Sequence, residues 1–262
     1  KKSYILPKGR QMKKYNVAIV GATGAVGEEF FRVLEEVDFP INNLIPLASA
    51  KSAGIEIEFR GKSYKVVELT EKVFEEYDVE IAFFSAGGDI SAHYAPYAAE
   101  AGAVVIDNTS HFRMNPDVPL VVPECNPADI DLWQQTGIIA NPNCSTIQAL
   151  MAIWPLHREA GLLYMNISTY QSVAGTGIKA LNTLKNEAMA VEEGKEVIKS
   201  GVYPHQIAFN LLPHIGSFDD EGISEEEWKM VNESRKIMHL PSLRVSGITV
   251  RVPVFRCHGE SV

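Results

Sequence analysis

Cysteine is scarce in this chain: Cys125, Cys144 and Cys257 are the three it has in 262 residues. So small and odd a number excludes a disulfide scaffold and points to a reducing compartment, where a special cysteine is reactive rather than structural. Long apolar runs are missing too, and none approaches the roughly 18–20 residues that a membrane helix needs. Basic charge is in deficit, with 24 Lys+Arg against 33 Asp+Glu and a formal charge of -9. That balance excludes a broad nucleic-acid surface. It leaves room for a small anionic substrate, because a few local cations outweigh a distant net charge. Residues 1–10 are basic but lead into no apolar segment, so they are not a secretory signal, and Met12 is read as the natural start. There is no internal repeat and no low-complexity tract. The expectation is a soluble, cytoplasmic protein without a metal, nucleic-acid or membrane partner.

What is present is an ordinary globular composition, 46% hydrophobic and 22% charged. At roughly 100–200 residues per domain, the length suggests two domains or one large one. The first half alternates short β-branched runs with amphipathic stretches. Strands are expected at residues 16–20, 44–48 (with Pro46 as a blemish), 79–84, 103–107, 120–122 and 137–140. A hairpin is expected around Arg60-Gly61-Lys62, and helices after residue 24 and between Ile90 and Ala101. Strand–helix alternation implies parallel strands covered on both faces, an α/β doubly wound, Rossmann-type dinucleotide-binding domain over residues 12–143. Residues 144–262 are expected to form a second, α+β domain. Its helices are expected near 144–160, 177–194 and 224–239, and its strands near 162–171 and 243–255.

Gly21-Ala22-Thr23-Gly24-Ala25-Val26-Gly27 follows the first strand and opens a helix. Glycines in that context permit a tight turn and close approach of backbone to a pyrophosphate, which the helix N-terminus attracts. The spacing is G-x-x-G-x-x-G, a variant of the dinucleotide fingerprint, and a ligand-free turn is the competing reading. NAD-selective folds place an acid at the end of the second strand. Here Ser49-Ala50-Lys51-Ser52 offers hydroxyls and a cation instead, which suits the 2′-phosphate of NADP, unless Lys51 is an ordinary surface lysine.

Asn141-Pro142-Asn143-Cys144-Ser145-Thr146 links an apolar strand to a helical stretch. A cysteine at a helix N-terminus has its thiolate stabilised by the dipole and the N–H groups there, and the same N–H groups are expected to hold an oxyanion. The competing reading is a half-buried small hydrophobe. Cys125 and Cys257 lack this setting and read as structural. A thiolate needs an acid–base partner, and spacing does not choose among His93, His111, His157, His205, His214, His239 and His258.

With the glycine turn, Asn141 to Thr146, Tyr170-Gln171-Ser172-Val173-Ala174-Gly175, and Arg251 with His258, the chain resembles the aspartate-β-semialdehyde dehydrogenase family from about Lys13 to Val262. Asn143 and Ser145 favour it over N-acetyl-γ-glutamyl-phosphate reductase, which has other residues beside its cysteine. The resemblance implies an NADP-dependent oxidoreductase of lysine, threonine, methionine and isoleucine biosynthesis, reducing L-aspartyl-β-phosphate to L-aspartate-β-semialdehyde. Cys144 would be the nucleophile, His258 the acid–base group and Gln171 the group that orients the reacting centre. Arg251 would clamp the substrate carboxylate, Glu226 its ammonium, and Lys229 and Arg113 its phosphate, with Asn143 also at the substrate. Ser85, Ser172 and Gly175 would join the glycine turn, Ser49, Lys51 and Ser52 around the cofactor. A homodimer is implied.

Two points of geometry stay open at this level. Glu226 and Lys229 are helix neighbours that pair with each other in the bland reading, and Glu226 is one of three successive glutamates. Arg251 and His258 are seven apart, which one regular strand would place on opposite faces; Pro253 offers a place for a bulge or bend between them, and their meeting rests on the resemblance. The resemblance also implies strands and a terminal helix after Val262, so the second domain is expected to lack its C-terminal part. Competing functions are another acyl-phosphate or acyl-thioester reductase on the same scaffold, or a non-catalytic nucleotide-binding homologue.

Overall fold

The computed structural model describes residues 13–262; the reading of the first ten residues and of Met12 lies outside the described residues. The chain forms two compact units. One holds the described residues up to Val121 together with Ala128–Asn141, and the other holds Val122–Pro127 with Pro142–Val262. The excursion of Val122–Pro127 into the second unit is a feature that a single boundary near residue 143 does not capture. Among the described residues, no helix is long and apolar enough to cross a membrane.

The first unit runs β1 (Tyr15–Val20), α1 (Ala25–Glu36), β2 (Ile41–Ala48), β3 (Glu56–Phe59), β4 (Lys62–Lys65), β5 (Val67–Glu68), α2 (Val73–Glu76), β6 (Ile81–Phe84), α3 (Gly88–Glu100), β7 (Val104–Asp107) and β8 (Ile138–Ala140). Its main sheet is wholly parallel in the order β5-β2-β1-β6-β7-β8. From β1 the chain winds outward one way through α1 and, from β6, the other way through α3. Right-handed crossovers therefore put these two helices on opposite faces. The sheet's order reverses between β1 and β6, the crevice where such folds take their ligands. Val17 to Val20 are fully buried, as a central parallel strand requires.

Pro46 does sit inside β2, opposite Ile19. Leu47 turns its carbonyl to β1 and Ala48 turns its own to Leu69, so alternation points the Pro46 nitrogen away from β1. On that side β5 pairs only with Leu47 and Ala48, and no ladder bond is lost. The β3–β4 hairpin turns at Arg60 (φ 50°) and Gly61 (φ 69°), the two left-handed residues of a tight hairpin. The strand expected at 120–122 is not one: Leu120 makes an isolated bridge to Ala140. Pro119 and Pro123, which carry no N–H, keep the ladder from extending.

The second unit runs α4 (Cys144–Ala160), β9 (Tyr164–Gln171), α5 (Ile178–Glu192), α6 (Glu225–Ile237), β10 (Arg244–Arg251) and β11 (Gly259–Ser261). β9 is the middle strand, parallel to β10 on one side and antiparallel to β11 on the other. Met165, Ile167, Thr169 and Gln171 alternate into the buried face of β9, and Ile167 packs with Ala149 of α4 and Met230 of α6. The chain after Arg251 does not continue as one strand to 255. It turns over residues 252–258, with Cys257 at φ 70°, before β11 begins.

Candidate active site

Asn143 caps α4. Its Oδ1 accepts from the N–H groups of Ser145 (2.9 Å) and Thr146 (3.3 Å), which anchors the first turn and places Cys144 at its outer corner. The cap occupies the Ser145 and Thr146 N–H groups, so the expectation of an oxyanion held there is corrected for these two. Cys144 itself is exposed, and its Sγ lies 3.2 Å from Nε2 of His258.

Of the seven candidates, His258 meets this sulfur. The Ser172 N–H donates to its Nδ1 at 3.0 Å. An N–H can only donate, so Nδ1 is the acceptor and the proton of the neutral ring resides on Nε2, facing Cys144. Burial lowers the pKa of His258, and the nearby Arg251 charge lowers it further, against smaller upward effects of the Cys257 backbone and Glu226. The ring is therefore held neutral.

Gln171 ends β9, buried, between Arg251 and the approach to His258. Its Nε2 donates to Glu226 Oε1 at 3.1 Å and Thr169 Oγ1 at 3.3 Å. Arg251 is also buried; one terminal nitrogen donates to the Ser172 carbonyl at 2.7 Å, while its Nε is buried without an acceptor. Ser172, expected at the cofactor, thus ties His258 to Arg251 through its backbone. Gly175 follows in a short 3-10 turn, close to both side chains.

α6 explains the three glutamates. Ser224 and Glu227 form a reciprocal capping box, Glu225 faces outward to Lys229, and Glu226 turns inward. Glu226 Oε1 takes Asn143 Nδ2 (2.9 Å) and Gln171, and Oε2 takes Lys229 Nζ at 3.3 Å. Burial works to raise its pKa, but the Lys229 charge and these hydrogen bonds outweigh it and hold it ionised. Burial likewise works against charge on Lys229, and Glu225 and Glu226 outweigh it, so Lys229 stays cationic. The two residues do pair, and they do so beside Asn143 and Gln171.

Glu233 belongs to the cluster and was not anticipated. It is almost fully buried, two turns after Glu226, and its Oε2 accepts from the Asn143 N–H at 2.6 Å. The signal was in the sequence: Glu226, Met230, Glu233, Ser234 and Ile237 form the buried stripe of an otherwise polar helix. The other cysteines divide. Cys125 is buried, its thiol pushed up to about 11 by burial and the Glu124 charge. Cys257, read as structural, is instead exposed and in left-handed backbone beside His258.

Arg113 is held within the first unit, its guanidinium donating to the Asn141 carbonyl at 2.9 Å and the Asn108 carbonyl at 3.2 Å. In the same unit, a cavity of about 610 Å³ lies beyond the ends of the central strands, lined among others by Gly21, Thr23, Gly24, Ser49, Glu68 and Ser85. α1 starts at Ala25 with Val26 and Gly27 in its first turn and no side-chain cap at Gly24, so its terminal N–H groups face this space uncapped. A Cβ at Gly27 would stand 2.4 Å from the Gly21 carbonyl, so only glycine permits the turn. These features fit a dinucleotide pyrophosphate. Lys51 is exposed and Ser52 half-buried on a 3-10 turn after β2. Glu68, brought to the cavity by β5, is an acid that the sequence around residue 50 does not reveal.

Known proteins bear the same pattern. A family model described as semialdehyde dehydrogenase, NAD binding domain, matches residues 16–133, and one described as semialdehyde dehydrogenase, dimerisation domain, matches residues 153–262. The aspartate-semialdehyde dehydrogenase of Campylobacter jejuni subsp. jejuni is 54% identical over 251 residues, covering 95% of this chain and 73% of that protein. That of Aquifex aeolicus is 52% identical over 249 residues, with the same coverage. Among solved structures, aspartate semialdehyde dehydrogenase II from Vibrio cholerae, complexed with ASA, superposes with a TM-score of 0.92 at 47% identity, over 95% of this chain and 73% of that one. Sequence identity over nearly the whole chain, two domain matches in order and a shared fold agree: this chain belongs to the aspartate-semialdehyde dehydrogenase family.

Proposed function

We propose that this chain catalyses the reversible NADP-dependent conversion of L-aspartyl-β-phosphate to L-aspartate-β-semialdehyde through a thioester on Cys144, serving lysine, threonine, methionine and isoleucine biosynthesis in the cytoplasm. The observation that carries the reading is the 3.2 Å approach of Cys144 Sγ to His258 Nε2 at the start of α4. Sulfur attacks the acyl carbon, the carbon–oxygen bond to phosphate breaks, and Cys144 retains the acyl group as a thioester. A bound nicotinamide dinucleotide supplies the hydride that reduces it. Breaking the carbon–sulfur bond then releases the aldehyde and returns the thiolate. As partner of the sulfur, His258 presents its Nε2–H to Cys144 and steadies the thiolate at both ends of this sequence, because the Ser172 N–H occupies Nδ1.

The remaining groups suit an α-amino acid. Arg251 has a buried Nε without an acceptor, and a substrate carboxylate would satisfy it together with a terminal nitrogen. Glu226 supplies negative charge for the ammonium and Lys229 positive charge for phosphate, with Gln171 orienting the carbonyl. Ser49, Lys51 and Ser52 favour NADP through its 2′-phosphate. A homodimer accords with the dimerisation-domain match and with Tyr164, Tyr170 and Ile248, which are exposed on the outer face of β9 and β10.

The test is phosphate-dependent NADP reduction with L-aspartate-β-semialdehyde, with Cys144→Ala as the blank. A phosphate-requiring rate that the blank lacks is expected. Turnover in the blank would remove Cys144 as nucleophile, and cofactor binding without turnover in either chain would favour a non-catalytic homologue.

A further inference from the structure

We infer that Glu233 is a positioning residue: it holds the main chain of Asn143 against α6 and so sets Cys144 at its distance from His258. This rests on the reading of those two groups as nucleophile and acid–base partner. They come from separate elements, the first residue of α4 and the residue before β11, 114 positions apart in the chain. A contact of 3.2 Å between them needs α4 and the sheet to be held in a fixed relation.

α6 is the element that touches both. Its start is tied to the sheet: the Thr249 N–H on β10 donates to Glu227 Oε1 at 3.2 Å, and Gln171 at the end of β9 donates to Glu226 at 3.1 Å. The capping box keeps that end of the helix formed. Towards α4, Met230 packs with Ala149. Glu226, Met230, Glu233 and Ile237 follow one another at helical spacing and form one buried face. Both acids of this face end on Asn143, the residue before the cysteine.

They hold different parts of it. Glu226 Oε1 meets the side-chain amide at 2.9 Å, a bond that leaves the main chain able to turn. Glu233 Oε2 meets the Asn143 N–H at 2.6 Å, and that nitrogen belongs to the backbone that leads into Cys144. The Asn143 carbonyl accepts the first bond of the helix, from the Ile147 N–H at 2.9 Å, and Oδ1 caps the same turn. With its N–H, carbonyl and side chain all engaged, Asn143 fixes where α4 begins, and Cys144 keeps the rotation of its own side chain. Glu233 is 1% exposed, between the apolar Met230 and Ile237 of the same stripe. An apolar residue there would avoid the cost of burying an acid. What the acid adds is an acceptor for the Asn143 N–H.

The experiment compares Glu233→Asp, Glu233→Met and Glu233→Gln with the unsubstituted chain. Glu233→Asp keeps the acid but shortens the arm, Glu233→Met suits the apolar stripe but removes the acceptor, and Glu233→Gln keeps both the length and an acceptor oxygen. Glu233→Asp and Glu233→Met should each lower kcat by more than about tenfold with KM nearly unchanged, and Glu233→Gln should stay within about threefold. Alkylation of Cys144 by iodoacetamide, read by mass spectrometry against the exposed Cys257, should slow in the first two variants and not in the third. Equal damage in all three, or a larger loss in Glu233→Gln than in Glu233→Asp, overturns the inference. So does an unchanged kcat in Glu233→Asp and Glu233→Met with only a lower denaturant midpoint, the mark of a purely structural role. Turnover in Cys144→Ala would instead overturn the nucleophile reading, whatever Glu233 does.

Discussion

Arg251 and His258, seven residues apart in the chain, reach one site from opposite edges of the same strand. Arg251 ends β10 in register with Gln171 of β9, and His258 leads into β11 on the other side of β9. Ser172, one residue past Gln171, accepts from Arg251 through its carbonyl and donates to His258 through its N–H. The end of β9 therefore sets the spacing of two cation-capable groups and determines which nitrogen of the imidazole carries the proton.

The pH profile should reflect this arrangement. Burial and the Arg251 charge both favour the neutral imidazole, so the neutral form persists as pH falls past the ordinary value of 6.5. The acid limb of kcat/KM assigned to His258 should lie below pH 6.5 and vanish in His258→Gln. A limb at or above the ordinary value would contradict the burial argument.

Arg251→Leu should lower kcat/KM for L-aspartate-β-semialdehyde by about a hundredfold or more if Arg251 clamps the substrate carboxylate as proposed. NADP affinity, measured by fluorescence titration, should change little. Equal losses in both would indicate that the Ser172 carbonyl, left without its donor, has let the end of β9 move.

Asn143→Ala should destabilise the chain by about 1–2 kcal/mol, read from the midpoint of denaturant unfolding, through loss of the cap and of a donor to buried Glu226. Asn143→Asp should cost more. It keeps a cap acceptor but replaces the amide that donates to Glu226 with a second carboxylate beside it. If the aspartate proves the milder change, Glu226 is not held ionised beside residue 143.

Cofactor choice should respond to Glu68 and Lys51 in opposite directions. Glu68→Gln removes a negative charge from the cavity rim and should raise the NADP-to-NAD preference several-fold. Lys51→Ala should lower it. Unchanged ratios of kcat/KM in both variants would show that this rim does not read the 2′ position.

The first unit was legible because its signals are local. Val17 to Val20 form a buried run, the glycines fall at a strand–helix junction, and the Arg60-Gly61 turn is one that few residues make. Each rests on the conformational preference of a few consecutive residues, which no distant contact overturns. Where local signals misled, a local fact had been underweighted, as with the prolines around 120–122. The position of Cys144 at a helix start was legible for the same reason.

The surroundings of Cys144 were not. That Asn143 uses up the Ser145 and Thr146 N–H groups, that Glu233 is buried, that Glu68 borders the cofactor cavity and that His258 is the histidine at the sulfur all depend on strand order and register. A register is decided by which faces can be buried together across residues far apart in sequence. The amino-acid sequence by itself determined the elements and the chemical types available at their ends. Only the tertiary structure decided which of those groups meet, and hence which are charged, because burial and neighbouring charge are properties of the assembled sheet and helices rather than of any segment.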